Sequence, residues 1–151
     1  MSRTSNELDR FRGCLLGLAV GDAVGTTVEF APRGSFLPLT DMTGGGPFQL
    51  EPGQWTDDTS MALCLATSLI EQRGFDPVDQ MNRYCNWLEF GYLSSNGFCF
   101  DIGNTVSAAL SRYRTLEPRW PETELFRTLP FGARTRERPS RPPLHAVLRI
   151  A

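Results

Sequence analysis

The sequence predicts an all-α fold. Three observations carry that expectation. Four segments place apolar residues at three- and four-residue steps. Helix punctuation falls between them, with Gly74 and Gly91 as stops and Asp76-Pro77 as a start. No segment alternates apolar and polar residues for more than a few positions, as a half-buried strand would.

The first helix is expected over residues 6–22, where Leu8, Phe11, Leu15, Leu18 and Asp22 share one face. Gly13, Gly17, Gly21 and Gly25 recur every fourth residue. Each glycine is about 1 kcal/mol less favourable in a helix than alanine. Such a stripe is expected where another backbone or a ligand comes close, and tight helix–helix packing accounts for Gly13 and Gly17. Residues 31–55 read as a loop rich in glycine and proline. A loop this long is either functional or disordered.

The second helix should run from Asp57 to Arg73. Met61, Leu65 and Leu69 line one face, Ala62, Ala66 and Ile70 lie beside it, and Gly74 is expected at C′. Most of this helix should be buried. The third begins with Asp76 as N-cap and Pro77 in the first turn. Val78, Met81, Cys85 and Leu88 make its apolar face, and Gly91 closes it. After a loop over 92–100, a fourth helix is expected over 103–113, with Val106, Ala109, Leu110 and Tyr113 inward.

The character changes after about Leu116, so residues 1–116 are expected to form the folded domain and 117–151 a tail. Six of the eleven prolines fall in residues 118–151, and six arginines between Arg127 and Arg149. "GARTRERPSRPP" has no apolar period, and this tail is not expected to fold by itself. All 15 basic residues are arginine, a mark of a GC-rich gene.

The chain has 151 residues, 40% of them hydrophobic and 21% charged, with a net charge of −2. That is the composition of an ordinary soluble domain with a core. Neither a nucleic-acid partner nor an anionic membrane is expected. Cys14, Cys64, Cys85 and Cys99 are far apart and His145 stands alone, which argues against zinc. Cys14, Cys64 and Cys85 lie in apolar patterns and should be buried, reduced thiols. The apolar run Cys14–Val20 is too short to span a bilayer and is no secretory signal. A cytoplasmic protein is expected.

The stretch "WTDDTS", residues 55–60, holds the chemistry. Thr56, Asp57 and Asp58 open the second helix. Threonine is a good N-cap, and acids in a first turn interact well with the helix dipole. The same turn offers a hydroxyl and two carboxylates pointing in different directions. Such hard oxygen donors suit Mg²⁺, Ca²⁺ or Mn²⁺. One turn does not complete a coordination shell, so further acids are needed. Asp22, Glu29 and Asp101 are the candidates; Glu29 lies between Val28 and Phe30, and Asp101 just precedes a helix.

Three segments, "GCLLGLAVGDAVGTTVEF", "GGGPFQLEPGQWTDDTSMALCLATSLIE" and "FDIGNTVSAAL", together resemble the ADP-ribosylglycohydrolase family, in particular its dinitrogen-reductase-directed branch. The likeness covers residues 10–113. It implies an orthogonal helical bundle whose cleft holds two Mg²⁺ or Mn²⁺ ions. By this resemblance Thr56, Asp57 and Asp58 are metal ligands. Glu29 is a substrate-site acid or gate, and Asp101 a candidate base near bound ADP-ribose. Asn104, in the same segment as Asp101, is assigned to substrate binding. Gly44, Gly45 and Gly46 either line the cleft near the pyrophosphate or form a flexible loop. The implied activity is hydrolysis of the bond joining ADP-ribose to a protein side chain, often arginine, so the implied partners are ADP-ribosylated protein or ADP-ribose. Such a reaction passes through an oxocarbenium-like transition state, which carboxylates and ribose-binding metals suit.

The chain also departs from the family pattern. The family's late Asp-x-Asp-Thr ligands and its Gly-Asn-Gly segment are not here, and no aspartate follows Asp101. The bundle is therefore expected to be incomplete at its C-terminus, and the enzyme truncated and impaired. If Arg136-Glu137-Arg138 is encoded CGG-GAA-CGG, the neighbouring frame reads Gly-Asn-Gly, as an out-of-frame tail would. The alternative function is a non-catalytic helical remnant that binds ADP-ribose or a protein partner.

Overall fold

The structure, a computed structural model, describes residues 5–116. The tail expected over 117–151 lies outside the described residues. Four helices appear in order: α1 (Ser5–Gly25), α2 (Asp57–Glu71), α3 (Pro77–Phe90) and α4 (Asn104–Leu116). A 3₁₀ turn, Thr26–Val28, extends α1. Among the described residues the β contacts amount to one isolated bridge, Gly45 to Leu50. The all-α expectation holds. The described residues divide into two compact units, one ending at Thr59 and the other beginning at Ser60.

In the first unit α1 runs three residues beyond its expected end. Its apolar stripe is less buried than its pattern implies. Leu8 and Leu15 are half-buried, whereas Phe11, Leu16, Leu18 and Val20 are exposed. Cys14 is exposed too, against the expectation of a buried thiol. Nothing lies within 4 Å of a Cβ built at Gly13, Gly17, Gly21 or Gly25, so no close packing explains the stripe among the described residues. Asn6–Val28 is long and apolar enough to cross a membrane by length and composition alone. The sequence expectation weighed only the shorter run Cys14–Val20.

The long connection after the 3₁₀ turn folds back on itself. Gly45 N–H donates to the Leu50 carbonyl at 2.7 Å, and Leu50 N–H returns to Gly45 at 2.9 Å. Leu50 and Trp55 are buried. Gly44 has φ +69°, and a Cβ there would sit 2.5 Å from the Leu50 oxygen. The glycine is required by that approach.

The second unit is built on Cys64, Trp87, Tyr92 and Leu93, with Met61, Leu63, Tyr84, Cys99, Ile102 and Val106 packed against them. Asp76 caps α3 as expected, accepting from the N–H groups of Val78 and Asp79, and Gly91 ends it in the left-handed region. The buried face of α3 keeps Cys85, with Met81 and Leu88 half-buried, but extends beyond the expected apolar stripe. Val78 is 47% exposed, while Asp79, Asn82, Arg83, Asn86 and Trp87 are buried with Cys85. Leu69, Ile70 and Ala109 are likewise exposed rather than inward.

A buried cation explains the polar face. Arg83 is fully buried and donates to Asp79 at 2.7 Å, to Glu71 at 2.8 Å and to the Tyr92 hydroxyl at 3.2 Å. Gln72 donates to the same Asp79 carboxylate at 3.0 Å. Burial pushes the Tyr92 hydroxyl up to about 12, so it stays a neutral phenol that accepts from Arg83. Burial likewise raises Cys64 and keeps it a thiol, donating to the Arg83 carbonyl at 3.6 Å.

The end of α2 corrects one expectation. Arg73, not Gly74, carries the left-handed φ of 55°. Gly74 N–H bonds to the Leu69 carbonyl at 3.1 Å and Arg73 N–H to Ile70 at 3.3 Å. That is a Schellman ending with Arg73 at C′ and Gly74 one place beyond. Arg73→Gly is expected to raise stability by about 0.5–1 kcal/mol, because glycine takes this conformation without a Cβ penalty. A higher urea midpoint for the variant is the check.

Candidate functional site

The first turn of α2 is organised by a residue 34 positions upstream. Both Asp22 oxygens accept from Thr56 N–H at 3.1 Å, and one accepts from Thr59 N–H at 3.1 Å. The Thr56 and Thr59 hydroxyls donate to the same carboxylate at 2.8 and 2.6 Å. A helix leaves its first four N–H groups without intrahelical partners. Here the last residue-face position of α1 supplies the acceptor, and Thr56 and Thr59 are both buried.

This bears on whether Asp57 and Asp58 are caps. The Thr59 N–H, three positions into the helix, is held by Asp22, so neither adjacent acid is needed for it. Thr56 has one hydroxyl proton. It serves Asp22 at 2.8 Å, and the Asp57 carboxylate lies at a longer 3.4 Å. Asp57 is half-buried and Asp58 exposed, side by side at one turn. Asp22 therefore fixes the turn that carries the oxygen donors of Thr56, Asp57 and Asp58.

The donor chemistry fits a hard divalent cation. The number of donors does not complete a site. Among the described residues no group of three or more His, Cys, Asp or Glu side chains is gathered to hold a metal ion. The turn is a partial ligand set.

Glu29 ends the 3₁₀ turn, half-buried, and its carboxylate accepts from the Thr26 hydroxyl at 3.4 Å. The glycine turn packs against this same segment. Gly46 has φ +66°, and a Cβ there would lie 2.6 Å from the Thr26 carbonyl and 3.1 Å from Thr27. Gly44, Gly45 and Gly46 all have positive φ. Their approach to protein backbone accounts for Gly44 and Gly46. Thr27 keeps a buried hydroxyl oxygen with no hydrogen-bond partner among the described residues.

Asp101 and Asn104 lie in the second unit. Asp101 is half-buried with a left-handed φ of 56°, and Asn104 is exposed at the start of α4. The structure thus gathers Asp22, Thr56 and Asp57 at one turn and sets Gly46 against the residues leading to Glu29.

Asp22, a candidate further acid from the sequence, is found as the acceptor that organises the Thr56 turn. Its signal was present: an aspartate at the end of an apolar periodic face, where an acid is expected only with partners.

Comparisons with known proteins agree with the motifs. A family model described as ADP-ribosylglycohydrolase matches residues 3–151. The chain is 52% identical over 124 residues to "ADP-ribosylarginine hydrolase Tri1" of Serratia proteamaculans, covering 79% of this chain and 34% of that protein. It is 41% identical over 109 residues to "ADP-ribosyl-[dinitrogen reductase] glycohydrolase" of Rhodospirillum rubrum, covering 70% and 35%. A solved structure, "ADP-ribosylglycohydrolase-related protein complex", matches with a TM-score of 0.58 at 51% identity, over 72% of this chain and 34% of that one. The chain spans about a third of the length of these relatives.

Proposed function

The chain belongs to the ADP-ribosylglycohydrolase family, and from that premise we propose that it acts in metal-dependent hydrolysis of the bond joining ADP-ribose to a protein side chain. Arginine is the favoured side chain, after the relative named for ADP-ribosylarginine. The observation that carries the reading is the turn at Thr56. Asp22 holds the N–H and hydroxyl groups of Thr56 and Thr59 there, in the one turn that carries Thr56, Asp57 and Asp58.

Thr56, Asp57 and Asp58 would hold Mg²⁺ or Mn²⁺ as a partial ligand set, so the activity of this chain would be impaired. A bound divalent ion supplies charge stabilisation for the ribose hydroxyls and lowers the pKa of a bound water. The chain's own residues do the rest. Asp22 is a positioning residue that locks the Thr56 hydroxyl in one direction. Glu29 or Asp101 accepts a proton from the attacking water, as general-base chemistry needs. Asn104 and the 44–46 turn would contact the ADP-ribose. Four free cysteines, Cys64 and Cys85 of them buried, support a reducing, cytoplasmic setting.

One observation favours the second reading, a non-catalytic module that binds ADP-ribose or a protein: the described residues do not gather three acidic ligands. Release of ADP-ribose from ADP-ribosylarginine separates the two. Hydrolysis predicts release that needs Mg²⁺ or Mn²⁺, stops with EDTA and falls at least about 100-fold in Asp57→Asn. Binding of ADP-ribose without any metal-dependent release would leave the second reading.

A further inference from the structure

The geometry points to Phe30 as the platform that receives the target arginine: its exposed ring would stack on the guanidinium while Glu29 beside it supplies the opposite charge. This rests on the hydrolase reading above and adds the residue that sets which side chain is accepted.

The backbone makes the case first. Ala31 N–H bonds to the Val28 carbonyl at 3.0 Å, closing a four-residue turn. Glu29 has φ −57° and ψ 138°, and Phe30 has φ 61°. Those angles are a type II turn with Phe30 at the third position, which calls for glycine or asparagine. A bulky residue there is a genuine outlier. Strained residues persist where the surroundings hold them, and they cluster at functional sites. The unpartnered Thr27 hydroxyl lies in the same short segment.

Folding does not explain the choice of phenylalanine. The Phe30 ring is 77% exposed, so its burial stabilises little. It forms a T-shaped pair with Phe48, with centroids 6.5 Å apart and planes at 70°. Such a pair occupies at most one of the two faces of the Phe30 ring. The 44–46 turn, through Gly46 on Thr26 and Thr27, braces the segment from which Glu29 and Phe30 project.

The chemistry selects the occupant. An aromatic face beside a carboxylate suits a flat cation, which stacks on the ring and pairs with the acid. A guanidinium has that shape and charge, and hydrogen-bonds carboxylates through its fork of N–H groups. A serine linkage offers neither plane nor charge.

The test compares two ligands on the whole chain in Mg²⁺: ADP-ribosylarginine and free ADP-ribose. Their dissociation constants are measured by calorimetry for wild type, Phe30→Gly and Phe30→Tyr. Glycine fits the turn, so Phe30→Gly should melt at or above the wild-type temperature. Wild type should prefer ADP-ribosylarginine by about 3- to 30-fold, the range of a cation–π contact. Phe30→Gly should bring that ratio to about one, and Phe30→Tyr should restore it. A ratio unchanged in Phe30→Gly would overturn the inference and leave the hydrolase reading intact. Wild type binding neither ligand would overturn both.

Discussion

Arg83→Met is expected to destabilise the second unit by about 3–5 kcal/mol, the loss seen when one partner of a buried ion pair is removed. Arg83 is fully buried, and the Asp79 carboxylate beside it is nearly so. Without the guanidinium, Asp79 keeps Gln72 but loses its counter-charge. Chemical unfolding should show the loss as a lower midpoint. Replacing both partners, Asp79→Leu with Arg83→Met, should recover much of it, because an apolar pair leaves no stranded charge.

The same pair gives a pH signature. Burial alone would raise the Asp79 carboxyl, but hydrogen bonds from Arg83, Ser68 and Gln72 and the Arg83 charge outweigh it, so the group sits below its ordinary 3.8. A carboxyl lowered in the folded state contributes stability above its unfolded pKa and loses it as pH falls through the folded value. Wild type should therefore lose stability below about pH 4, where unfolded aspartates titrate. That acid-dependent part should be missing from Asp79→Asn, whose curve would be flatter between pH 4 and 2 but lower throughout.

Gly91→Ala is the second large effect. Gly91 has φ +65°, and a Cβ there would sit 2.1 Å from the Gly97 carbonyl oxygen and 2.6 Å from the Phe98 nitrogen. Both neighbours are backbone and cannot rotate away. The left-handed conformation costs alanine about 1–2 kcal/mol. Relieving the overlap adds about 1–3 kcal/mol, as overpacking does. Gly97→Ala makes a useful contrast: φ is +83° there, but nothing lies within 4 Å of the added Cβ. It should show the conformational loss alone. Equal urea midpoints for the two variants would contradict the steric account.

These positions mark what the sequence could and could not convey. Helix punctuation was legible because it is local: Asp76, Pro77 and Gly91 each act within one turn. The inner face of α3 was legible in part. Cys85 is buried and Met81 and Leu88 half-buried as the stripe implies, but the fold also buries the polar residues around Arg83, and a period in hydrophobicity does not register a buried ion pair. The C′ residue was misplaced by one because glycine is the usual bearer of a positive φ, and Arg73 carries it here. At the site, the motif around Thr56 was legible in residue type. The pairing with Asp22 was not, since it joins positions 34 apart through side-chain geometry. The exposure of α1 has a related cause: its pattern calls for a partner face that the described residues do not supply.

The most direct test of the central claim is Mn²⁺ binding by the whole chain, followed by calorimetry in wild type, Asp57→Asn and Asp22→Asn. A ligand that binds only the folded state must also raise the melting temperature. The account predicts saturable binding with a matching rise in melting temperature, lost in Asp57→Asn. It predicts weaker binding in Asp22→Asn, where Thr56 is no longer held. Binding unchanged by Asp57→Asn, or no binding at millimolar Mn²⁺, would contradict the assignment of the Thr56–Asp58 turn as a metal-ligand set.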